Sequence, residues 1–271
     1  WPYKSQLFQP KETGVARHIF TLAIALFCLT ACSTTMTVED FKDGQVLLID
    51  KPLEWTSFQV VNKLRWHIRK HFNIKKIKVG HSGTLDPMAT GLLIICTGKF
   101  TKKLTEFQGL SKEYTGTIKL GASTPSYDAE TEPDQSFPIE HINSDLIEEA
   151  RQQFVGDLEQ IPPMFSAIKV DGQPLYKKAR KGIKVEVKSR PVTIFEFELT
   201  QIQLPNIDFR VSCSKGTYIR SLAHDFGKSL RSGGYLTALK RTKVGDFKLE
   251  DAWELTDLVE FIEGGAVLNG Q

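Results

Sequence analysis

Apolar positions along this chain recur with two periods. Residues 45–50, QVLLID, are a short apolar run closed by Lys51 and Pro52, the pattern of a strand. Thr56 or Ser57 can cap a helix that reaches about His71, with Val60, Val61, Leu64 and Ile68 at the spacing of one buried face. Residues 113–121, EYTGTIKLG, alternate Tyr114, Gly116, Ile118 and Leu120 with Thr115, Thr117 and Lys119, a period-two strand. An acidic, proline-bearing loop, STPSYDAETEPD, comes next, and a helix is predicted over 143–156 with Ser144 or Asp145 near its cap. Residues 207–230 read as a strand, a tight Ser-Lys-Gly turn and a helix. Its buried stripe is Ile219, Leu222, Ala223 and Phe226, with Arg220 and His224 on another face. Strands, hairpins and helices alternate irregularly. That order predicts an α+β fold on a central mixed, largely antiparallel sheet flanked by helices.

Composition narrows this picture only a little. The 271 residues are 25% charged and 41% hydrophobic, as in an ordinary globular protein with chain enough for a sizeable core. Thirty-five basic residues against 32 acidic ones leave a net charge of +3, so any nucleic-acid surface must show in the local distribution of charge. Cys28, Cys32, Cys96 and Cys213 form no CxxC pair and no zinc pattern; Cys96 and Cys213 sit in apolar runs, as buried free thiols of a reducing compartment do. Residues 1–35 differ from the rest. RHIFTLAIALFCLTACS has the basic flank, apolar run and small-residue end of an export signal, and LTAC resembles a lipoprotein cleavage site. The apolar stretch is short for a membrane span. Met36 opens MTVEDFKDGQVLLIDKP like a natural start, so 1–35 is expected to be an extension, signal-like or non-native, ahead of a single domain over 36–271.

Candidate chemistry gathers in a few stretches. In GHSGTLDPMATG, residues 80–91, Pro87 holds Asp86 away from helical geometry, and the carboxylate sits on a glycine-flanked loop before the apolar run Leu92 to Cys96. The densest basic segment, Lys63, Arg65, Arg69 and Lys70 with Lys75, Lys76 and Lys78, precedes it and reads either as a solvated helix face or as a phosphate track. His67 and His71 are spaced i, i+4, but HIRKH lacks the glutamate of a zincin helix, and both are expected at the surface. From 161 onward, IPPMFSAIKVDGQPLYKKARKG mixes cations with Phe165 and Tyr176, a composition suited to RNA and equally to an ordered surface hairpin. No Walker loop, GxGxxG fingerprint or GxSxG elbow occurs, and no metal or cofactor is expected.

Taken in order, LLIDKPLEWTSFQVVNKLR, VGHSGTLDPMATGLLIICTGKFTK, KEYTGTIKLG, IPPMFSAIKVDGQPLYKKARKG and SKGTYIRSLAHDFGKSLRSGGYLTALKRTKVGDF resemble the TruB family of tRNA pseudouridine synthases from Met36 onward. The resemblance implies the pseudouridine synthase fold with a thumb-like insertion at about 162–188, and isomerisation of uridine 55 in the TΨC loop of tRNA without a cofactor. It implies that Asp86 is the essential carboxylate, that Tyr114 stacks on the target uracil, and that Arg220 pairs with Asp86. It further implies that His81 borders the flipped nucleotide, that Lys51 and Pro52 support the site, and that Leu239 packs on the base. Lys177 and Lys178, in the thumb-like segment, are expected on the tRNA T arm.

Two departures from the family pattern shape the remaining expectations. The sequence after AWELT is too short for a C-terminal PUA domain, which argues against a guide-RNA-dependent relative and leaves affinity to the catalytic domain. The leader-like 1–35 conflicts with a tRNA substrate, and a cytoplasmic, monomeric protein away from the membrane is expected. A catalytically silent RNA-binding or tRNA-folding protein of the same fold is the alternative; the intact set of Asp86, Tyr114 and Arg220 speaks against it. An envelope lipoprotein is supported by residues 1–35 alone.

Overall fold

The computed structural model describes residues 36–264 apart from positions 167, 171 and 184; the leader-like segment with Cys28 and Cys32 lies outside the described residues. The chain runs through α1 (Val38–Asp43), β1 (Val46–Lys51), α2 (Ser57–His71), β2 (Val79–Ser82), β3 (Ala89–Thr97), α3 (Leu104–Gln108) and β4 (Lys112–Leu120). Then come β5 (Ala122–Ser123), β6 (Gln135–Ser136), α4 (Ser144–Gln152), β7 (Gly156–Gln160), β8 (Lys169–Val170), β9 (Gln173–Pro174) and α5 (Leu175–Ala179). It continues with β10 (Arg190–Gln203), β11 (Asn206–Cys213), α6 (Ile219–Ser229), β12 (Gly234–Val244), β13 (Phe247–Lys248), β14 (Trp253–Glu254) and α7 (Leu255–Ile262).

One sheet organises the molecule, in the order β14-β1-β3-β12-β4-β11-β10-β7, with β2 added beside β3 and β13 beside β12. Among the strands of the described residues only β1–β14 and β12–β3 pair in parallel, so the α+β architecture on a mixed, largely antiparallel sheet is as expected. The unbroken apolar run in β3 has a simple cause: both faces are covered. Leu93 and Ile95 join the larger core beneath the helices, while Leu92, Ile94 and Cys96 join a smaller one with Val46, Leu48 and Phe107. Cys96 and Cys213 are buried free thiols, their pKa values pushed up to about 12 and about 11 by burial.

Helix α2 forms where its sequence predicts. Thr56 closes a capping box with Gln59, and Val60, Val61, Leu64 and Ile68 are buried against the sheet. Helix α4 differs from its expectation. Asn143, extended at φ −130°, ψ 173°, caps it in place of Ser144 or Asp145 by accepting from the Leu146 N–H, and the helix stops at Gln152 because Gly156 already begins β7. His67 is not an open surface histidine: its Nδ1 lies 2.6 Å from Glu263, just past α7, whereas His71 is exposed. Between β7 and β10, which pair Gln160 with Arg190, the chain leaves the sheet through the β8–β9 hairpin and α5. Leu175 anchors this excursion by full burial. Among the described residues no helix is long and apolar enough to cross a membrane.

Candidate active site

The β2–β3 hairpin carries Asp86 on its connecting loop. Three bonds fix that loop. The Ser57 hydroxyl, at the start of α2, accepts from the Leu85 N–H (2.9 Å) and donates to the Leu85 carbonyl (3.1 Å), while the Glu54 N–H donates to the Pro87 carbonyl (2.8 Å). Gly83 takes φ +74°, a left-handed conformation open to glycine, and a Cβ there would lie 3.3 Å from the Arg241 guanidinium.

Arg220, on the first turn of α6, reaches across to this loop. Its Nη2 lies 2.9 Å from Asp86 Oδ2, and its Nη1 lies 3.5 Å from Asp128 Oδ2. The same guanidinium donates to the carbonyls of Ser126 (3.2 Å) and Phe165 (2.9 Å). The helix pattern puts Arg220 off the buried stripe, yet its side chain is only 5% exposed. Two carboxylates and two carbonyls replace the water it gives up. Asp86 stays open at its edge, with 39% of its side chain exposed. Protein nonetheless crowds the carboxyl, and burial raises its pKa; Arg220 pulls it back, while Asp128 and Glu130 push it further up.

Strand β12 joins the halves of the site, pairing with β3 on one side and β4 on the other. That register puts Leu239 opposite Ala89 and Gly116, and Arg241 opposite Gly91 and Tyr114. Tyr114 is buried, which raises its phenol pKa, and the neighbouring Arg241 opposes the rise. Arg241 itself is buried, donating from Nε to the Leu92 carbonyl (2.7 Å) and from Nη2 to the Gly83 carbonyl (3.1 Å). Asp86, Tyr114, Arg220 and Leu239 thus line one cleft of about 320 Å³, whose wall is completed by Tyr218 and Arg241. That volume lies at the small end of ligand pockets.

The other expected residues are placed differently. Lys51 lies under the loop, fully buried, with Nζ donating to the carbonyls of Pro52 (2.7 Å) and Trp55 (2.6 Å); burial lowers its pKa to about 8 against the pull of Asp86 and Asp50. Lys51 and Pro52 therefore brace the chain beside the cleft and do not line it. His81, on β2, is half-buried, and burial with the nearby Arg241 lowers its pKa, which favours a neutral imidazole. Lys177 and Lys178 lie on α5, away from the cleft lining, with Lys177 exposed.

Three residues of the site escaped the sequence reading. Asp128 sat in a loop that read only as acidic, and nothing local distinguished it. Tyr218 and Arg241 were legible in principle. Tyr218 stands two residues before Arg220, and Arg241 two residues after Leu239, on the same face of a strand.

Comparison with known proteins fits this cleft. The TruB family pseudouridylate synthase N-terminal domain matches residues 69–219, and the tRNA pseudouridylate synthase B C-terminal domain matches residues 220–265. The tRNA pseudouridine synthase B of Flavobacterium johnsoniae is 60% identical over 229 residues, spanning 84% of this chain and 100% of that protein. Its counterpart from Phocaeicola vulgatus is 57% identical over 224 residues, 83% of this chain and 95% of that one. Among solved structures, a Cbf5-Nop10-Gar1 complex superposes with a TM-score of 0.63 at 26% identity, covering 86% of this chain and 62% of the other. Two adjoining family matches take in every residue of the Asp86–Arg220–Tyr114 cleft, and with relatives aligned over their whole length they establish that the chain belongs to the TruB family of pseudouridylate synthases.

Proposed function

We propose that the protein converts uridine 55 in the TΨC loop of tRNA to pseudouridine, with Asp86 as the essential carboxylate. The observation that carries this reading is the Asp86–Arg220 pair at the mouth of a cleft walled by Tyr114 and Leu239. Relatives 60% and 57% identical, aligned over 100% and 95% of their own length, bear the name tRNA pseudouridine synthase B.

The target nucleotide leaves its stack to reach Asp86, at a cost of a few kcal/mol that is smallest in a loop. Tyr114 and Leu239 then offer one aromatic and one aliphatic surface to the uracil. Asp86 works at the C1′–C2′ edge of the ribose, and attack at C1′ or proton removal at C2′ asks the same of it: an ionised oxygen held in place. Arg220 opposes the rise in its pKa and aims it. The N1–C1′ bond breaks, the base turns, and C5 bonds to C1′. C5 then loses its proton and N1 gains one, so the product is an isomer and no redox partner or hydrolytic water enters. Tyr114, neutral at physiological pH because burial raises its phenol pKa, has its hydroxyl available for the C5 proton transfer.

Unmodified tRNA transcript incubated with the protein and mapped for pseudouridine tests the reading. The wild type is expected to modify uridine 55, and Asp86→Asn to bind tRNA without modifying it. Near-normal turnover by that variant would remove Asp86 from the chemistry. Binding without product by the wild type would favour a silent RNA-binding protein.

A further inference from the structure

Helix α2 has a face that the reaction does not use. Its fifteen residues, SFQVVNKLRWHIRKH, include no acid. Opposite the buried stripe, Phe58 is 61% exposed and Trp66 52% exposed, and with Asn62 and Lys70 they repeat every four residues along one side of the helix. Lys70 Nζ stands over the Trp66 ring, 4.6 Å from its centroid. Leu53, 51% exposed, extends the strip to the catalytic loop, where it shares a groove with Met88 and Leu239. Ser57 ties the N-terminus of α2 directly to Leu85. The strip thus begins at the active site and leaves it for roughly 18 Å along the helix.

Charge decides what such a strip fits. A second exposed apolar patch, formed by Val155, Phe195 and Ile202, lies among Glu148, Glu196 and Glu198. Those acids would repel a polyanion, even with Arg151 and Arg210 between them. On α2 the borders are mainly cationic: Arg69 and Lys70 are exposed on the helix, and Lys75 and Lys76 are exposed just beyond it, while a neighbouring acid, Glu263, is held by His67. Ring faces at two-turn spacing, edged by cations, match RNA, since aromatics stack on unpaired bases while Lys and Arg meet phosphates.

We propose that this face of α2 is a second RNA-contact surface, which holds a part of the tRNA outside the target loop, with Phe58 and Trp66 stacking on unpaired bases. The proposal rests on the tRNA reading above. Its test compares full-length tRNA transcript with the isolated T-arm hairpin, by equilibrium binding and by single-turnover rate at saturating enzyme. Phe58→Ala and Trp66→Ala, singly and together, are expected to weaken full-length tRNA binding, the double variant by about tenfold or more. Affinity for the hairpin and the saturated rate stay within about twofold of the wild type, and Trp66→Tyr, which keeps a ring, restores most of the binding. Unchanged affinity for full-length tRNA would overturn the proposal and leave the strip to a protein partner. Equal losses on both RNAs would also overturn it, by placing α2 within the target-loop contact. If the wild type formed no pseudouridine in either RNA, the proposed reaction would fail, while the binding comparison would still decide the role of α2.

Discussion

At the scale of single residues, Asp86 carries a conflict between solvation and pairing. Burial raises its pKa even though Arg220 sits 2.9 Å away, so the folded protein holds a proton on this carboxyl more readily than the unfolded chain does. A raised carboxyl pKa means that the group's contribution to stability is fully present below the unfolded value of about 3.9 and is lost as pH rises through the folded value. Asp86→Asn is therefore expected to raise the thermal midpoint at pH 7, with the gain shrinking as the pH falls towards 4. Activity runs the other way: it needs the ionised group and declines with acidification at a higher pH than an ordinary carboxylate would dictate. Thermal unfolding across pH, beside single-turnover rates, checks both; a lower midpoint for the variant at pH 7 would mean that pairing with Arg220 outweighs burial. Arg220→Lys tests the partner. Arginine's fork meets Asp86, Asp128 and two carbonyls at once, which a single ammonium cannot. The expected loss is about 100-fold in single-turnover rate with saturating enzyme, the scale of a misplacement near 1 Å. A lysine variant as fast as the parent would show that positive charge alone suffices.

At the scale of elements, the reactive carboxylate depends on α2 as much as on its own hairpin. Ser57→Ala would leave the Leu85 N–H and carbonyl unpaired in a buried position, at a cost of about 1–3 kcal/mol. Lower stability with a reduced rate on bound tRNA is expected, and intact tRNA affinity; denaturant unfolding and single-turnover kinetics measure the two. A full rate on bound tRNA would free the loop's geometry from α2. The sequence announced α2 because capping and the apolar stripe are local, and it announced β4 for the same reason. It misplaced the cap of α4 by one or two residues, since Asn143, Ser144 and Asp145 are all competent caps and only the backbone selects among them. The burial of Arg220 was not legible at all. It depends on Asp128, which the turn around Tyr127 delivers beside Leu236 of β12, a meeting of segments about a hundred residues apart.

At the scale of the whole molecule, a net charge of +3 conceals an uneven surface, and this unevenness is what an RNA would sense. The mixed sheet was within reach of the sequence because its strands and helices are strongly patterned, whereas the Asp86–Tyr114–Arg220 grouping came only from the family resemblance, since Asp86 sits on a loop and pattern alone says nothing of what it meets. The excursion between β7 and β10 was legible only as composition, since its hairpin and α5 are too short to leave a periodic trace. Its base nevertheless touches the site, through the Phe165 carbonyl that accepts from Arg220. Lys177 and Lys178 stand farther out on α5. If they meet phosphates of the T arm, each neutralised phosphate releases counterions, and the logarithm of affinity falls with the logarithm of salt by about 0.7 to 0.9 per contact. Reversing both charges, Lys177→Glu with Lys178→Glu, is expected to weaken tRNA binding at low salt and to flatten that slope by about 1.5. The rate on bound tRNA should change far less, because neither lysine lines the cleft. Binding isotherms over a salt series separate the possibilities. A parallel downward shift with no change of slope would signal a distorted excursion, whereas identical lines would place both lysines outside the tRNA contact.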